Sequence, residues 1–168
     1  MEIEQRLRGV DPSYQVFGLL FLVGTRLEAI GDSGQCLGEL TTKQWFMLLN
    51  IRMFFESPPT LTQLAESMGT SRQNAKAIAQ KLARKGFVAL ERDARDARAL
   101  RIRVLPKADE YELANGRQND AFLRAFMGVL SAEETQTMQS CLLRLSDQAQ
   151  RMRRMHAETQ DKEDAQNG

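Results

Sequence analysis

Between Thr60 and Leu105 the hydrophobic pattern changes period, from helical to alternating, and no other stretch constrains the fold as tightly. Pro58 and Pro59 end whatever precedes them, because the proline ring cannot continue a helix. Thr60 stands three residues before Gln63, a pair that can satisfy two orphan backbone donors reciprocally. Leu61, Leu64, Ala65 and Met68 then follow one apolar stripe of a two-turn helix. Gly69 supplies the residue that ends it, and Thr70 or Ser71 caps the next, with Gln73 or Asn74 three residues on. In that second helix Ala75, Ile78 and Leu82 point inward, and Gly86 closes it. Its outward positions are Arg72, Gln73, Lys76, Ala77, Gln80, Lys81 and Arg84. From Phe87 to Arg92 the residues are β-prone, and Leu100, Ile102 and Val104 alternate with Arg101 and Arg103 as in a half-buried strand. The order helix, Gly turn, helix, hairpin is a helix-turn-helix with a wing.

Charge is gathered on the same stretch. Thr70 to Arg103 holds ten Lys or Arg against three acids, a net of +7 in a chain whose total is +1. A localised cationic segment in a near-neutral chain is the electrostatic footprint expected of a nucleic-acid binder. Forked and amide donors on the second helix suit base edges, and its cations suit phosphates. We expect Ser71, Arg72, Gln73, Asn74, Lys76, Gln80 and Lys81 to face DNA. At the hairpin tip Arg95 and Arg98 are free to project into a minor groove, and Asp96 can hold the arginine in one direction.

The run LTQLAESMGTSRQNAKAIAQKLARKGFV, with the Asp96-Ala97-Arg98 of the hairpin, resembles the winged-helix core of the MarR family of bacterial transcriptional regulators. The flanking helices fit that resemblance in order and length over nearly all of residues 10–157. It implies a mainly α fold with a small β-hairpin wing. The expected single domain is 11–157, with the winged-helix core at 41–105 and dimerisation helices at 11–31 and 107–157. It further implies a homodimer that binds double-stranded DNA at a pseudo-palindromic operator, most simply as a repressor. Two departures stand out: position 77, often long and basic in relatives, is alanine, and Pro106 replaces the usual threonine after the second wing strand. In this family a cleft between the dimerisation helices and the core takes up small aromatic molecules. Tyr14, Phe17, Phe21, Trp45 and Phe46 are the aromatic residues nearest to its expected place, with Arg52 as a carboxylate partner. The competing reading is that these aromatics simply fill the core.

Outside the core, Asp11-Pro12 opens a helix to about Ile30 that is apolar around most of its circumference. Such a helix must be buried on several sides, in part by a second subunit. Thr41 with Gln44 caps a helix carrying Trp45, Phe46, Leu48, Leu49, Met53 and Phe54. A helix from about Lys107 to Leu130 follows the wing, and Ser131 with Glu134 caps the last. Along it Met138, Leu142, Leu145, Ala149, Met152 and His156 form a heptad seam suited to a partner helix, the alternative being an amphipathic helix folded onto its own domain. Residues 158–168 are polar and are expected to be a disordered tail.

Other chemistry finds little support. The only histidine, His156, has no metal-ligand spacing with Cys36 or Cys141, and no phosphate-binding Gly loop follows a strand. No metal, cofactor or enzymatic activity is expected. Cys36 lacks a neighbouring cation to activate it, so an inert thiol is favoured over a redox sensor. The N-terminus lacks a signal-peptide pattern, and the longest apolar run, Val16 to Val23, is eight residues, well short of a membrane span. A reducing cytoplasm is the simplest home. The principal alternative function is a winged-helix module for protein contact without DNA. Such a wing would expose apolar residues in place of the arginines.

Overall fold

A computed structural model describes residues 3–33, 37–93, 96 and 98–166, and Cys36 and Arg95 lie outside them. The order is α1 (Ile3–Leu7), α2 (Pro12–Asp32), α3 (Thr42–Phe54), α4 (Leu61–Ser67), α5 (Arg72–Arg84), β1 (Val88–Arg92), β2 (Leu100–Val104), α6 (Pro106–Met127) and α7 (Ala132–Gln166). The two strands pair antiparallel, with Val88 opposite Val104 and Arg92 opposite Leu100. The mainly α architecture with a β-hairpin wing is as expected, apart from the short α1. The chain divides into two units, residues 1–119 and 120–168.

In the first unit the core gathers side chains from α3, α4, α5 and the hairpin. Met47, Leu64, Ala75, Ala79, Leu82, Phe87 and Ile102 are fully buried within it. Phe87, at the start of the hairpin, meets Tyr111 of α6 edge to face, with ring centroids 5.5 Å apart. Truncating a core side chain such as Leu82 to alanine costs about 2–5 kcal/mol, the usual range for a site that cannot collapse.

Caps set the angle between α4 and α5. The Thr60–Gln63 capping box forms as the spacing requires. At the far end Thr70 N–H donates to Ala65 O at 3.0 Å and Gly69 N–H to Glu66 O at 3.1 Å. This is a Schellman ending, and it places Gly69 at φ +64, where a Cβ would clash with its own backbone. The same pair of bonds ends α5, from Phe87 N–H to Leu82 O and from Gly86 N–H to Ala83 O, both at 3.0 Å. That ending delivers Phe87 directly into the core.

α2 starts as expected, with the Asp11 carboxylate accepting Ser13 N–H at 2.8 Å and Pro12 in the first turn. Its end is tied to the start of α3: Thr42 N–H donates to Asp32 Oδ1 at 2.6 Å, and Lys43 pairs with Glu28 at 2.7 Å. That backbone donor holds the Asp32 carboxyl below its ordinary range. Gly31 permits the approach, since a Cβ there would stand 2.2 Å from Thr42 Oγ1. Burial along α2 falls short of the expectation: only Gly31 is buried within the chain, and Tyr14, Phe17 and Phe21 are exposed.

In the second unit, Ser131 N–H donates to Glu134 Oε2 at 2.8 Å and Glu134 N–H to Ser131 Oγ at 3.2 Å, the capping box read from the sequence. Helix α7 then runs on to Gln166, so helical backbone replaces most of the tail expected from residue 158. Its last turns are built from Ala, Glu, Gln, Lys and Asp, with no Gly or Pro before Gly168. Most of these residues favour helix even where nothing is buried.

Tyr111 gives a pH test of the first unit. Its hydroxyl donates to Leu37 O at 2.7 Å, and burial, with the nearby Glu39 charge, raises its pKa above the ordinary 10.0. The folded state therefore favours the neutral phenol. That stabilisation is full below about pH 10 and is lost as pH rises through the folded-state pKa. Tyr111→Phe should cost about 0.5–1.5 kcal/mol at neutral pH and abolish one late step in an ultraviolet tyrosine titration. An unaltered titration would contradict this assignment.

Candidate nucleic-acid interface

Helix α5 separates its residues sharply. Ala75, Ile78, Ala79 and Leu82 are buried, while Arg72, Gln73, Asn74, Lys76, Ala77, Gln80, Lys81 and Arg84 are exposed. On a 3.6-residue period Gln73, Ala77, Gln80 and Arg84 form the centre of the outer face, with Arg72 and Lys76 along one flank and Lys81 along the other. Two amides near the middle, with cations at the sides and at the far end, match a groove floor bordered by phosphates. Of the sequence-predicted residues, Arg72, Gln73, Lys76, Gln80 and Lys81 thus share this exposed face, while Ser71 and Asn74 stand at the helix start. Two of them also have local work: Ser71 Oγ accepts Asn74 N–H at 3.1 Å, and Asn74 Nδ2 donates to Thr70 Oγ1 at 2.8 Å. These bonds cap the start of the helix.

The cations of this segment fall into two groups. Lys85 Nζ donates to Gln44 Oε1 at 3.0 Å and to Glu39 O, so it clasps the end of α5 to the start of α3. Lys107 Nζ donates to Lys85 O at 3.0 Å, pairs with Glu39 at 3.0 Å, and sits 4.6 Å above the Phe87 ring. Arg103 donates to Glu91 Oε1 through Nε and Nη2, at 2.8 and 2.6 Å, and this bond holds the Glu91 carboxyl below its ordinary range. Arg101 pairs with Asp93 and donates to Pro58 O at 2.6 Å. The charged face of β2 is therefore used within the hairpin and is not simply solvated. By contrast Arg72, Lys76, Lys81, Arg84, Arg92 and Arg98 are exposed and form no ion pair with a described residue.

At the wing, Asp96 acts differently from the expectation. Its carboxylate accepts the backbone N–H of Arg98 at 2.9 Å, and its own N–H donates to Asp93 Oδ1 at 3.0 Å. It fixes the turn and not the guanidinium, which leaves Arg98 exposed to solvent. The expected partner at the tip, Arg95, lies outside the described residues.

The aromatic set is less concentrated. Phe17 and Phe21 meet edge to face on α2, 5.0 Å between centroids, and Tyr14 is 75% exposed one turn before them. Trp45 is half-buried against the core, and Phe46 is exposed. Arg52 is held by Asp109 and Glu112 of α6. Any acidic ligand reaching Arg52 has to compete with two carboxylates. These pairs, like the lysine clasp, join residues 41–60 positions apart, so spacing gave no sign of them. Among the described residues no three His, Cys, Asp or Glu side chains gather as a metal site, and no helix is long and apolar enough to cross a membrane.

Comparison with known proteins points to the same segment. The sequence profile described as the MarR family matches residues 39–99. Among solved structures, the chain is similar to the PcaV transcriptional regulator from Streptomyces coelicolor in complex with its natural ligand. The TM-score is 0.69 at 19% identity, over 84% of this chain and 98% of that one. A MarR protein from Peptoclostridium difficile gives 0.70 at 19%, over 90% and 94%. BpsR of Bordetella bronchiseptica, whose DNA binding is regulated by 6-hydroxynicotinic acid, gives 0.66 at 18%, over 79% and 98%. No curated protein sequence matches the chain significantly.

The division of cations makes a measurable difference. Removing Arg72 or Lys81 should weaken binding to non-specific duplex DNA and shrink the slope of log affinity against log salt by about 0.9 each. Arg103→Ala, which removes an internal ion pair, should leave that slope unchanged. Equal slopes in all three variants, measured by fluorescence anisotropy, would refute the division.

Proposed function

We propose that the chain, whose residues 39–99 match the MarR family profile, is a sequence-specific DNA-binding transcriptional regulator. In this reading it represses as a homodimer on a pseudo-palindromic operator and lets go when a small aromatic molecule binds. The observation that carries the DNA reading is α5 itself, four buried apolar positions behind an outer face of amides and unpaired cations. Arg98 at an adjoining hairpin supports it, because an exposed guanidinium beside a groove-entering helix suits the minor groove.

Exposed apolar surface supports the dimer. On α2, Tyr14, Val16, Phe17, Leu20, Phe21 and Val23 are exposed, and on α7 so are Met138, Leu142, Leu145 and Met152. Such rows of large apolar side chains at helical spacing mark contact surfaces. A two-fold axis would place two copies of α5 on half-sites about 34–36 Å apart. Sedimentation should show a wild-type dimer at micromolar concentration. Leu142→Glu combined with Leu145→Glu should give monomers or insoluble protein, and a stable wild-type monomer would exclude the assembly.

The effector is proposed by analogy with the PcaV complex and with the response of BpsR. An aromatic acid would sit among Tyr14, Phe17, Phe21 and Trp45, its carboxylate drawing Arg52 away from Asp109 and Glu112. For release it must prefer the DNA-incompetent arrangement of the two α5 helices, and a hundredfold preference corresponds to about 2.7 kcal/mol of coupling. Trp45 is the only tryptophan, so its fluorescence reports directly. Millimolar aromatic acids should quench it and lower DNA affinity, and failure of both readouts would remove the pocket.

A further inference from the structure

Arg101 belongs to the segment's positive charge, yet its guanidinium is engaged by partners within the chain, with 37% of the side chain exposed. In the hairpin register it stands opposite Glu91, but Glu91 is taken diagonally by Arg103. Arg101 instead reaches past the end of β1 to the buried Asp93, whose side chain is only 6% exposed. Its Nη1 donates at 2.6 Å to the carbonyl of Pro58, just ahead of α4. The neighbouring Ile102 N–H donates to Pro59 O at 2.9 Å, and Thr60 forms an isolated bridge with Arg101. The root of the wing is thus fastened to the segment that starts the helix-turn-helix.

Asp93 completes the connection on its other side. One carboxylate oxygen takes the Arg101 guanidinium, and the other accepts Asp96 N–H from the wing turn at 3.0 Å. The Asp93 N–H and Ala99 O bond across the same turn at 2.9 Å, and Asp96 in turn receives the backbone N–H of Arg98. A continuous run of hydrogen bonds leads from Pro58 through Arg101, Asp93 and Asp96 to Arg98. A loose two-stranded hairpin has little stability of its own, so its tip is only as well aimed as its root.

We propose that Arg101 and Asp93 are positioning residues that aim the wing arginine, and that Arg101 is not itself a phosphate contact. The inference rests on the DNA-binding reading above. It makes Arg101 an exception within a cationic segment: its charge balances Asp93 and releases no counterion from DNA.

The test is a double-mutant cycle on a duplex selected from a random pool by the wild-type chain, with circular dichroism checking each variant. Arg98→Ala should weaken binding on its own. Arg101→Ala should weaken it about tenfold when Arg98 is present and far less when Arg98 is already alanine, since aiming matters only if there is something to aim. Its salt slope should differ from that of its Arg98 background by less than a single phosphate contact. Asp93→Asn should also weaken binding, and Arg101→Lys should recover part of the loss by reaching one of the two acceptors. Should Arg101→Ala fold poorly, Asp93→Asn and Arg101→Lys carry the same cycle. Equal losses in both Arg98 backgrounds, or a slope reduced by about 0.9, would overturn the positioning role. Tighter binding by Asp93→Asn would overturn it too, because a freed guanidinium would then be the contact. If the wild type selects no duplex, or Arg98→Ala binds as wild type does, the failure lies in the DNA reading or in the wing assignment, and the inference falls with it.

Discussion

The burial of Ala75, Ile78, Ala79 and Leu82 beneath α5, beside Met47 and Leu64, is the packing that orients everything this chain presents for recognition. A 13-residue helix is marginal in isolation, so its persistence comes from that buried face. Small residues at 75 and 79 let the backbone of α5 lie close to its neighbours. Once that face is fixed, Arg72, Gln73, Lys76, Gln80 and Lys81 have no choice of direction. The two Schellman endings do the rest, one setting the entry angle at Gly69, the other leading Phe87 into the core and starting the hairpin.

Polar interactions then hold the periphery to this core, and they use up part of the positive charge. Lys85, Lys107, Arg101 and Arg103 serve the fold, joining α5, α3, α6 and the wing root. Among the described residues of the cationic segment, the exposed cations without an ion pair lie on one face of α5 and on the wing, at Arg92 and Arg98. Net charge alone therefore overstates the cations available to a partner. Their value lies in which carboxylates and carbonyls have already claimed them.

Much of this was legible in the sequence because local rules govern it. Thr60 with Gln63, Thr41 with Gln44 and Ser131 with Glu134 all form the boxes that their spacing requires, and the inward stripe of α5 needed only a helical period. What escaped was long-range or assembly-dependent. The Arg52 ion pairs join α3 to α6, and Arg101 reaches Pro58 across 43 positions; no periodicity encodes either. Asp96 bonds the Arg98 backbone and not its guanidinium, since an aspartate two residues before an N–H closes a turn more readily than it grips a side chain. The polar end of α7 is helical backbone to Gln166 because a polar composition is not a lack of helix propensity. The rows on α2 and α7 are exposed hydrophobic patterns, and they are the ones assigned to the proposed dimer.

Hydroxyl-radical footprinting of the full chain on duplexes enriched from a random pool addresses the central claim most directly. Enrichment of an inverted repeat is predicted, with two protected major-groove patches one helical turn apart and a protected minor groove beside each, all lost together as salt is raised. A footprint confined to one patch would contradict the two-fold assembly. No enrichment at all at low salt would contradict the assignment of α5 and the wing to DNA.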